Sequence, residues 1–270
     1  MLLNARLRIA LTYLWRHHRL PRIARPATFT EFVQHRKLFD RDPRLAAFSD
    51  KVAVKQFVAD RIGAHWITPT LWHGTTLPAN PPWPRPFVVK SRHGCNQRAF
   101  VRSGDDDWDA ICRRSARWMR QSYGRWLDEW LYTRIPRGLL VEPFIGSDGQ
   151  LPVDYKLYVF GGKVACVQVH LERETRHRWL VLTRDWQRIS SPTADANPAA
   201  PVSLDRMIEA AETLGQGFDF VRVDFYEIAG EPRFGEMTFY PGSGLDPFDP
   251  PELDLMLGRL WAGVRATPAA

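Results

Sequence analysis

The order of apolar and polar residues along the chain predicts both helices and strands. Apolar residues recur at helical spacing in three segments. The predicted helices are residues 42–62, 105–123 and 203–215, the last opened by a serine cap. Shorter apolar or alternating runs are typical of strands. The predicted strands are residues 87–90, 139–145, 156–171 (a hairpin turning at Gly161 and Gly162), 179–183, 220–226 and 233–240. This mixture indicates an α+β or mixed α/β fold.

Residues 1–25 predict a separate basic amphipathic helix. The first forty residues contain eight Lys and Arg against only Glu31 and Asp40, whereas the rest of the chain is almost balanced. Two interpretations stay open. The helix docks on the core and leaves a basic face in solvent, or residues 1–22 contact an anionic membrane surface or an acidic glycan. The leucines at helical spacing are Leu3, Leu7, Leu11 and Leu14.

Composition excludes several classes of protein. With 270 residues, 44% of them hydrophobic, the chain can bury a substantial core. Its net charge of +7 is concentrated near the start, so a nucleic-acid surface is not indicated. No apolar stretch approaches the roughly 20 residues that a membrane-spanning helix needs, and no cleavage site follows residues 2–15, so we expect a cytoplasmic protein. Cys95, Cys112 and Cys166 lack the spacing of a disulfide framework or a zinc site.

The last two predicted strands carry paired polar residues. Alternate side chains of a strand share a face, so a hairpin here places Arg222 and Asp224 beside Glu236 and Thr238. Two adjacent carboxylates repel each other unless a cation lies between them, and Mg²⁺ binds few protein carboxylates while sharing phosphate oxygens. Arg222 could neutralise a transferring phosphoryl group. The alternative is a half-exposed hairpin with ordinary charged residues.

Three upstream segments favour the phosphate interpretation. Lys90 ends an apolar strand, from which an ammonium group can reach a phosphate. The strand at 139–145 leaves the core at Glu142, where its backbone could bond to an adenine edge. Asp154 and Lys156 share one face of the next strand. The order of these residues before Arg222 is more specific than any single segment.

This order resembles the ATP-grasp superfamily, and most closely its TupA-like branch, from about residue 26 to residue 258. The resemblance implies two interlocked α+β subdomains with ATP held between β-sheets. It divides the chain into an N-terminal subdomain (26–86), a lid subdomain (87–145) and a metal and catalytic subdomain (146–270). The matching segments are residues 26–31, 48–51 with Lys55, 87–90, 141–145, 154–156, 211–212, 222–224 and 235–244.

The resemblance also implies roles for individual residues. Lys51 and Lys90 are similar to phosphate-contacting lysines, Asp154 and Lys156 to the pair that flanks the ribose and phosphates, and Arg222 to the arginine near the γ-phosphate. Lys156 and Arg222 are the implied catalytic residues. The implied adenine hinge is Glu142, Pro143, Phe144 and Ile145, and the implied Mg²⁺ ligands are Asp224, Glu236 and Thr238.

Two departures from the family pattern concern this site. Most ATP-grasp enzymes have asparagine where this chain has Thr238, a weaker oxygen donor. The lid loop at 91–97, which includes Cys95, contains only one glycine, Gly94, and so offers fewer free backbone N–H groups. The loop at 240–245 is rich in glycine and could hold the acceptor. A charged cluster that could face the second substrate is Glu172, Arg173, His177 and Arg178.

The expected cofactors are therefore ATP and Mg²⁺. The resemblance implies a carboxylate–amine ligase that works through an acyl phosphate and acts on a small molecule or a glycan of a surface polysaccharide. Two alternatives are a kinase of a sugar or lipid-linked hydroxyl, and a non-catalytic nucleotide-binding member of a polysaccharide assembly complex. Thr238 and the lid loop are the features that favour the last.

Overall fold

The computed structural model describes residues 4–146, 150–171, 178–193 and 196–267. Its helices are α1 (Ala5–His17), α2 (Phe29–Phe39), α3 (Pro43–Ser49), α4 (Ala53–Ile62), α5 (Trp108–Arg120), α6 (Leu204–Leu214) and α7 (Pro251–Ala266). Its strands are β1 (Trp72–Gly74), β2 (Phe87–Ser91), β3 (Arg98–Val101), β4 (Leu139–Pro143), β5 (Asp154–Phe160), β6 (Lys163–Leu171), β7 (Arg178–Thr183), β8 (Phe220–Ile228) and β9 (Glu231–Thr238).

The strands form two antiparallel sheets, as an α+β fold requires. The first has the order β1-β4-β2-β3, and the second has the order β7-β6-β5-β8-β9. In the first sheet, Phe87 and Val89 pack with Ile111 and Trp118 of α5 in a small core of their own. The second sheet belongs to a larger core that includes residues of α2, α6 and α7. Each sheet therefore has its own hydrophobic support.

The segment predicted as an N-terminal subdomain contributes to both parts of the molecule. β1 pairs with β4 in the first sheet, although it precedes the predicted lid boundary at residue 87. α2 packs on α7, where the buried Arg36 lies 4.4 Å from the ring centroid of Trp261 and donates to the carbonyl oxygen of Phe220 at 2.9 Å. These contacts hold α2 and α7 against the start of β8.

Three local features differ from the predicted elements. The helix predicted at 42–62 is two helices, because the Asp50 carboxylate accepts the backbone N–H groups of Val52 and Ala53 at 3.0 and 3.3 Å and breaks the helical path. Ser203 precedes α6 without capping it, since its hydroxyl donates to Glu227 at 2.6 Å instead. β1 and β3 were not predicted as strands, whereas the other seven strands lie close to the predicted segments.

α1 docks by a different face from the one that its leucines predict. Ile9 and Tyr13 are its buried residues, while Leu7 and Leu11 are 48% and 49% exposed. Tyr13 lies 2.9 Å from the Thr30 hydroxyl, which fixes α1 on α2. None of the described helices is long and apolar enough to cross a membrane.

Candidate functional site

A cleft lies between the two sheets and collects nine of the twelve site residues predicted from the sequence, whereas Arg222, Asp224 and Thr238 do not line it. The first sheet contributes Val88, Lys90 and Phe100, and the second contributes Asp154 and Lys156. Further lining comes from the lid loop, the segment after β4 and β9. The predicted site residues on the cleft surface are Lys51, Lys90, Glu142, Pro143, Phe144, Ile145, Asp154, Lys156 and Glu236.

The pairing of β8 with β9 is the one that strand alternation predicts. Asp224 lies opposite Glu236, and Arg222 lies opposite Thr238. A bulge follows Asp224 and accommodates Gly235, whose ideal Cβ would lie only 3.0 Å from the Asp224 carbonyl oxygen. A side chain here would force that backbone to move, so glycine allows the bulge that aligns the four polar residues.

Asp224 is the centre of a buried ionic network. Arg222 donates to both of its carboxylate oxygens at 2.7 Å, and Lys156 Nζ donates to Oδ2 at 2.6 Å. Lys156 Nζ is also 2.7 Å from Asp154 Oδ2. Burial alone would raise the pKa of Asp224, but the charges of Arg222 and Lys156 outweigh it and lower that pKa. Asp224 is therefore held as a carboxylate of fixed orientation.

Glu236 is the more accessible of the two predicted metal ligands. Its side chain is 35% exposed and lines the cleft, with Arg222 Nη2 3.6 Å away. The Thr238 hydroxyl donates to Glu236 at 3.4 Å and accepts from Arg222 at 3.2 Å. Thr238 thus links the arginine to the glutamate, and its role as a metal ligand remains a prediction.

A pair of carboxylates is a set of protein ligands that Mg²⁺ commonly has. Among the residues that the structure describes, no group of three or more His, Cys, Asp and Glu side chains forms a complete metal cage. Mg²⁺ does not need one, because it usually combines one or two carboxylates with water and substrate phosphates. Glu236 faces the cleft and suits a metal ion that arrives with a nucleotide. Both oxygens of the buried Asp224 already accept from Arg222 and Lys156, so its role as a metal ligand remains a prediction.

A lysine pair lies across the cleft from these carboxylates. Glu142 accepts from Lys55 on one oxygen and from Lys90 on the other, the latter at 2.6 Å. Lys55 also donates to the Thr68 carbonyl oxygen at 2.7 Å and to Thr70 Oγ1 at 2.6 Å. Burial opposes ionisation of Glu142, but the two ammonium groups prevail and lower its pKa.

Lys55 is absent from the site residues that the sequence predicts, although its segment was part of the resemblance. The available signal was its position four residues after Lys51, which would place both on one face of the helix predicted at 42–62. The structure brings Lys55 into the cleft beside Lys90. Burial lowers the pKa of Lys55, against the opposing influence of Glu142.

The predicted hinge forms the apolar wall of the cleft. Phe144 packs edge-on against Phe100 at a centroid distance of 5.7 Å, and Arg102 lies 5.6 Å from the Phe144 ring. Val88 and Ile145 complete this wall. Aromatic and aliphatic surface of this kind suits a flat heterocycle. The Glu142 side chain points to the lysines, so any contribution it makes to an adenine contact would come from its backbone.

The lid loop is fastened to the turn between α3 and α4. Arg92 donates to both oxygens of Asp50 at 2.6 Å, and Lys51 Nζ donates to the Gly94 carbonyl oxygen at 2.7 Å. These bonds fix the backbone of the loop from outside and engage the Arg92 side chain within the protein. Cys95 contacts the Tyr132 hydroxyl at 3.1 Å, and burial raises the pKa of its thiol. A raised pKa disfavours the reactive thiolate.

The predicted acceptor loop has an unusual backbone. Gly242, Ser243 and Gly244 all have positive φ angles, of 51°, 57° and 64°. Ser243 adopts this region without being glycine, which is a sign of local constraint. Lys37 Nζ donates to Ser243 Oγ at 2.9 Å, and Gln34 Nε2 donates to the Ser243 carbonyl oxygen at 2.8 Å. α2 therefore holds this loop in place.

Two buried titratable groups, Lys37 and Glu129, lie behind the same loop. Burial lowers the pKa of Lys37 to about 8 and raises that of Glu129 to about 7, while each partially offsets the shift of the other.

Of the predicted charged cluster, Glu172, Arg173 and His177 lie outside the described residues. Its role in binding a second substrate stays a prediction.

Solved structures share the fold of this chain at low sequence identity. A D-alanine–D-alanine ligase from Bacillus anthracis complexed with ATP has a TM-score of 0.52 and 13% identity, covering 83% of this chain and 67% of its own. An L-amino acid ligase from Bacillus licheniformis has a TM-score of 0.51 and 13% identity, covering 81% of this chain and 50% of its own. This chain therefore spans about two thirds of the first protein and half of the second.

The sequence provides the assignment to a family. No curated protein matches the chain. The model of the TupA-like ATP-grasp family, however, matches residues 31–262, which include both sheets, the lysine pair and the carboxylates. The two-sheet cleft is the ATP-grasp fold expected from the order of charged residues, and the chain belongs to the TupA-like ATP-grasp family.

Proposed function

We propose that the protein is an ATP- and Mg²⁺-dependent ligase of the carboxylate–amine type. The observation that carries the proposal is the arrangement of charge in the cleft. Lys55 and Lys90 lie on one side, where they suit phosphate oxygens. Glu236 lies on the other, with the buried Asp224 opposite it on β8, and this pair suits a metal ion. The wall around Phe144 suits the adenine ring.

The proposed reaction has two steps. A carboxylate oxygen of the acceptor attacks the γ-phosphorus of ATP, and the bond to the bridging oxygen breaks to release ADP. The nitrogen of an amine then attacks the acyl carbon of the resulting acyl phosphate. Phosphate leaves with the electron pair of the broken bond, and the nitrogen loses a proton. No covalent enzyme intermediate is required.

The residues of this chain would act through position and charge. Arg222 would stabilise negative charge that develops on the transferring phosphoryl group, while Lys156 would keep Asp224 oriented. Mg²⁺ would screen the phosphate charges so that an anionic carboxylate can approach. Lys55 and Lys90 would hold the phosphates, and Asp154 would contact the ribose, as the family resemblance implies.

The proposed acceptor is a glycan or small molecule of surface-polysaccharide assembly that bears a carboxylate, with an amino acid or another amine as the second substrate. The TupA-like assignment supports this acceptor class. The names of the two structural neighbours are consistent with amide-forming chemistry on amino acids. Because ATP is abundant inside cells, we place the reaction there.

Calorimetry with a non-hydrolysable ATP analogue tests the nucleotide site. We expect binding in the micromolar range that requires Mg²⁺ and weakens by about tenfold or more in Asp224→Asn and in Glu236→Gln. Asp105→Asn is the matched control, since Asp105 is exposed and does not line the cleft. Absence of Mg²⁺-dependent binding in the wild type would favour a non-catalytic protein.

Product analysis separates the ligase from the kinase. A ligase consumes the amine and releases ADP and free phosphate in equal amounts. A kinase transfers the phosphate to a stable position on the acceptor, with no requirement for an amine. Phosphorylated acceptor as the end product would therefore replace the proposed reaction with a kinase reaction at the same nucleotide site.

A further inference from the structure

α1 carries a second apolar face that points away from the protein. Ile9 and Tyr13 attach the helix to the core, whereas Leu7, Leu11 and Trp15 lie on the opposite side at helical spacing. Leu14 belongs to the same face. Leu7, Leu11, Leu14 and Trp15 are 48%, 49%, 39% and 71% exposed. We call these four residues the outer face of α1.

Other exposed apolar residues lie around this helix. Leu20, shortly after α1, is 63% exposed. Trp126 is 76% exposed and lies two residues before Asp128, which pairs with Arg8 of α1. Phe39 is 46% exposed with Arg6 5.4 Å from its ring centroid. Seven of the eleven large apolar residues that the described part of the chain exposes thus belong to α1 or lie near it. Such clustering marks an interaction surface.

The charge around the outer face selects an anionic partner. Residues 1–30 contain six arginines and no aspartate or glutamate. Arg6, Arg16 and Arg25 are exposed, and Arg16 lies 5.4 Å from the ring centroid of Trp15. A second copy of the chain would bring the same arginines together and repel them. Exposed leucine and tryptophan flanked by arginine is the composition of a helix at a lipid interface.

We propose that α1 lies flat on a bilayer of anionic lipids, with its outer face among the acyl chains and its arginines at the headgroups. The thirteen residues of α1 are too few to span a bilayer, but they are sufficient for a helix in the interfacial plane. The inner contacts through Ile9 and Tyr13 keep the enzyme attached while it is bound.

The docked helix would also place the acceptor loop one helix diameter from the membrane, about 10 Å. His17 Nε2 lies 3.1 Å from the Gly244 carbonyl oxygen, and Arg16 Nε donates to the Leu245 carbonyl oxygen at 3.1 Å. If the ligase function proposed above holds, the acceptor is then a membrane-held molecule, such as a lipid-linked glycan. Vesicle binding itself does not rest on that function, so the two can fail separately.

Vesicle sedimentation of the full chain tests the proposal. The vesicles are phosphatidylcholine alone, or phosphatidylcholine with 30 mol% phosphatidylglycerol as a chosen condition. The variants are Leu11→Asp, on the outer face, and Val202→Asp as the matched control, since Val202 is 89% exposed and lies in a different part of the sequence. Near-ultraviolet circular dichroism confirms that each variant is folded.

We expect the wild type and Val202→Asp to sediment with the anionic vesicles but not with phosphatidylcholine alone. Leu11→Asp should reduce the partition coefficient by about tenfold, and high salt should reduce that of the wild type. The proposal is overturned if the folded wild type stays in the supernatant, or if Leu11→Asp and Val202→Asp partition equally. A dimer in light scattering that Leu11→Asp dissociates would assign the face to a second copy instead.

Discussion

Lys156 and Asp224 lie opposite each other on adjacent strands, with Lys156 Nζ 2.6 Å from Asp224 Oδ2. The same ammonium group is 2.7 Å from Asp154 Oδ2, so one cation serves two buried carboxylates. A buried charge without a partner is costly, and this arrangement leaves neither aspartate without one. Lys156 is therefore part of the support of the site as well as a candidate contact for phosphate.

Replacing Lys156 with methionine should damage both stability and turnover. The substitution leaves two carboxylates buried without their shared cation, so we expect the midpoint of thermal unfolding to fall by several degrees. Turnover, measured as ADP release, should fall by about a hundredfold or more. Lys163→Met removes an exposed lysine and should change neither quantity appreciably. Unchanged turnover in folded Lys156→Met would show that Lys156 has no part in catalysis.

Thr238 offers a test of the position where most ATP-grasp enzymes have asparagine. Thr238→Val keeps the shape but removes the hydroxyl that links Arg222 to Glu236. We expect its affinity for the Mg²⁺–ATP analogue to fall by several-fold in calorimetry. Thr238→Asn restores an oxygen donor and should bind as tightly as the wild type or more tightly. Equal affinity of Thr238→Val and the wild type would show that the hydroxyl has no part in binding.

The ion pair between Asp50 and Arg92 should affect nucleotide binding, because it ties the lid loop to the turn between α3 and α4. A double-mutant cycle with Asp50→Asn and Arg92→Gln isolates their interaction, since asparagine retains an oxygen that can accept the N–H groups of Val52 and Ala53. We expect a coupling free energy of about 1–3 kcal/mol in denaturant unfolding. The KM for ATP should rise more than kcat falls, because the pair positions the lid loop. Additive effects in the cycle would contradict this.

The buried Glu31 should make the free energy of unfolding depend on pH. Burial alone would raise its pKa, but backbone N–H groups and Arg19 prevail and lower the pKa from 4.5 to about 2. The carboxylate therefore stabilises the fold fully above pH 4.5, and this contribution is lost as the pH falls towards 2. Glu31→Gln should reduce the free energy of unfolding by roughly 2 kcal/mol at pH 7.

The same comparison at low pH provides the control for Glu31. The difference between wild type and Glu31→Gln should shrink in urea unfolding between pH 4.5 and pH 2. Glu209→Gln, at an exposed position on α6, should have little effect at any pH. A Glu31→Gln difference that stays constant with pH would mean that shape and hydrogen bonding, and not charge, provide the stabilisation.

Strand alternation was sufficient to predict the register of the last hairpin. Asp224 and Glu236 could be paired from sequence because residues two apart share a face and the turn between the strands is short. The bulge at Gly235 was not predicted, since nothing in the alternation reveals a backbone contact with Asp224. The bulge preserves the pairing, and so the prediction survived it.

Contacts between distant segments were harder to predict. The break at Asp50 depends on its bonds to the following backbone and to Arg92, which is 42 residues away. Helical periodicity alone continues through that position. In the same way, the spacing of Leu7 and Leu11 predicts an apolar face but not whether that face meets the protein. Ile9 and Tyr13 form the docked side because Thr30 and the core receive them.

The separation of the lysine pair from the carboxylates gives the cleft an electrical polarity. On one side the positive charges of Lys55 and Lys90 outnumber the negative charge of Glu142. On the other side the negative charges outnumber the positive charges of Lys156 and Arg222; the carboxylates there are Asp154, Asp224 and Glu236. A bare divalent cation complements only the second side, and metal-free pyrophosphate complements only the first. A ligand that carries its own cation at one end complements both. The cleft would thus sort its ligands by the distribution of their charge and not by its total.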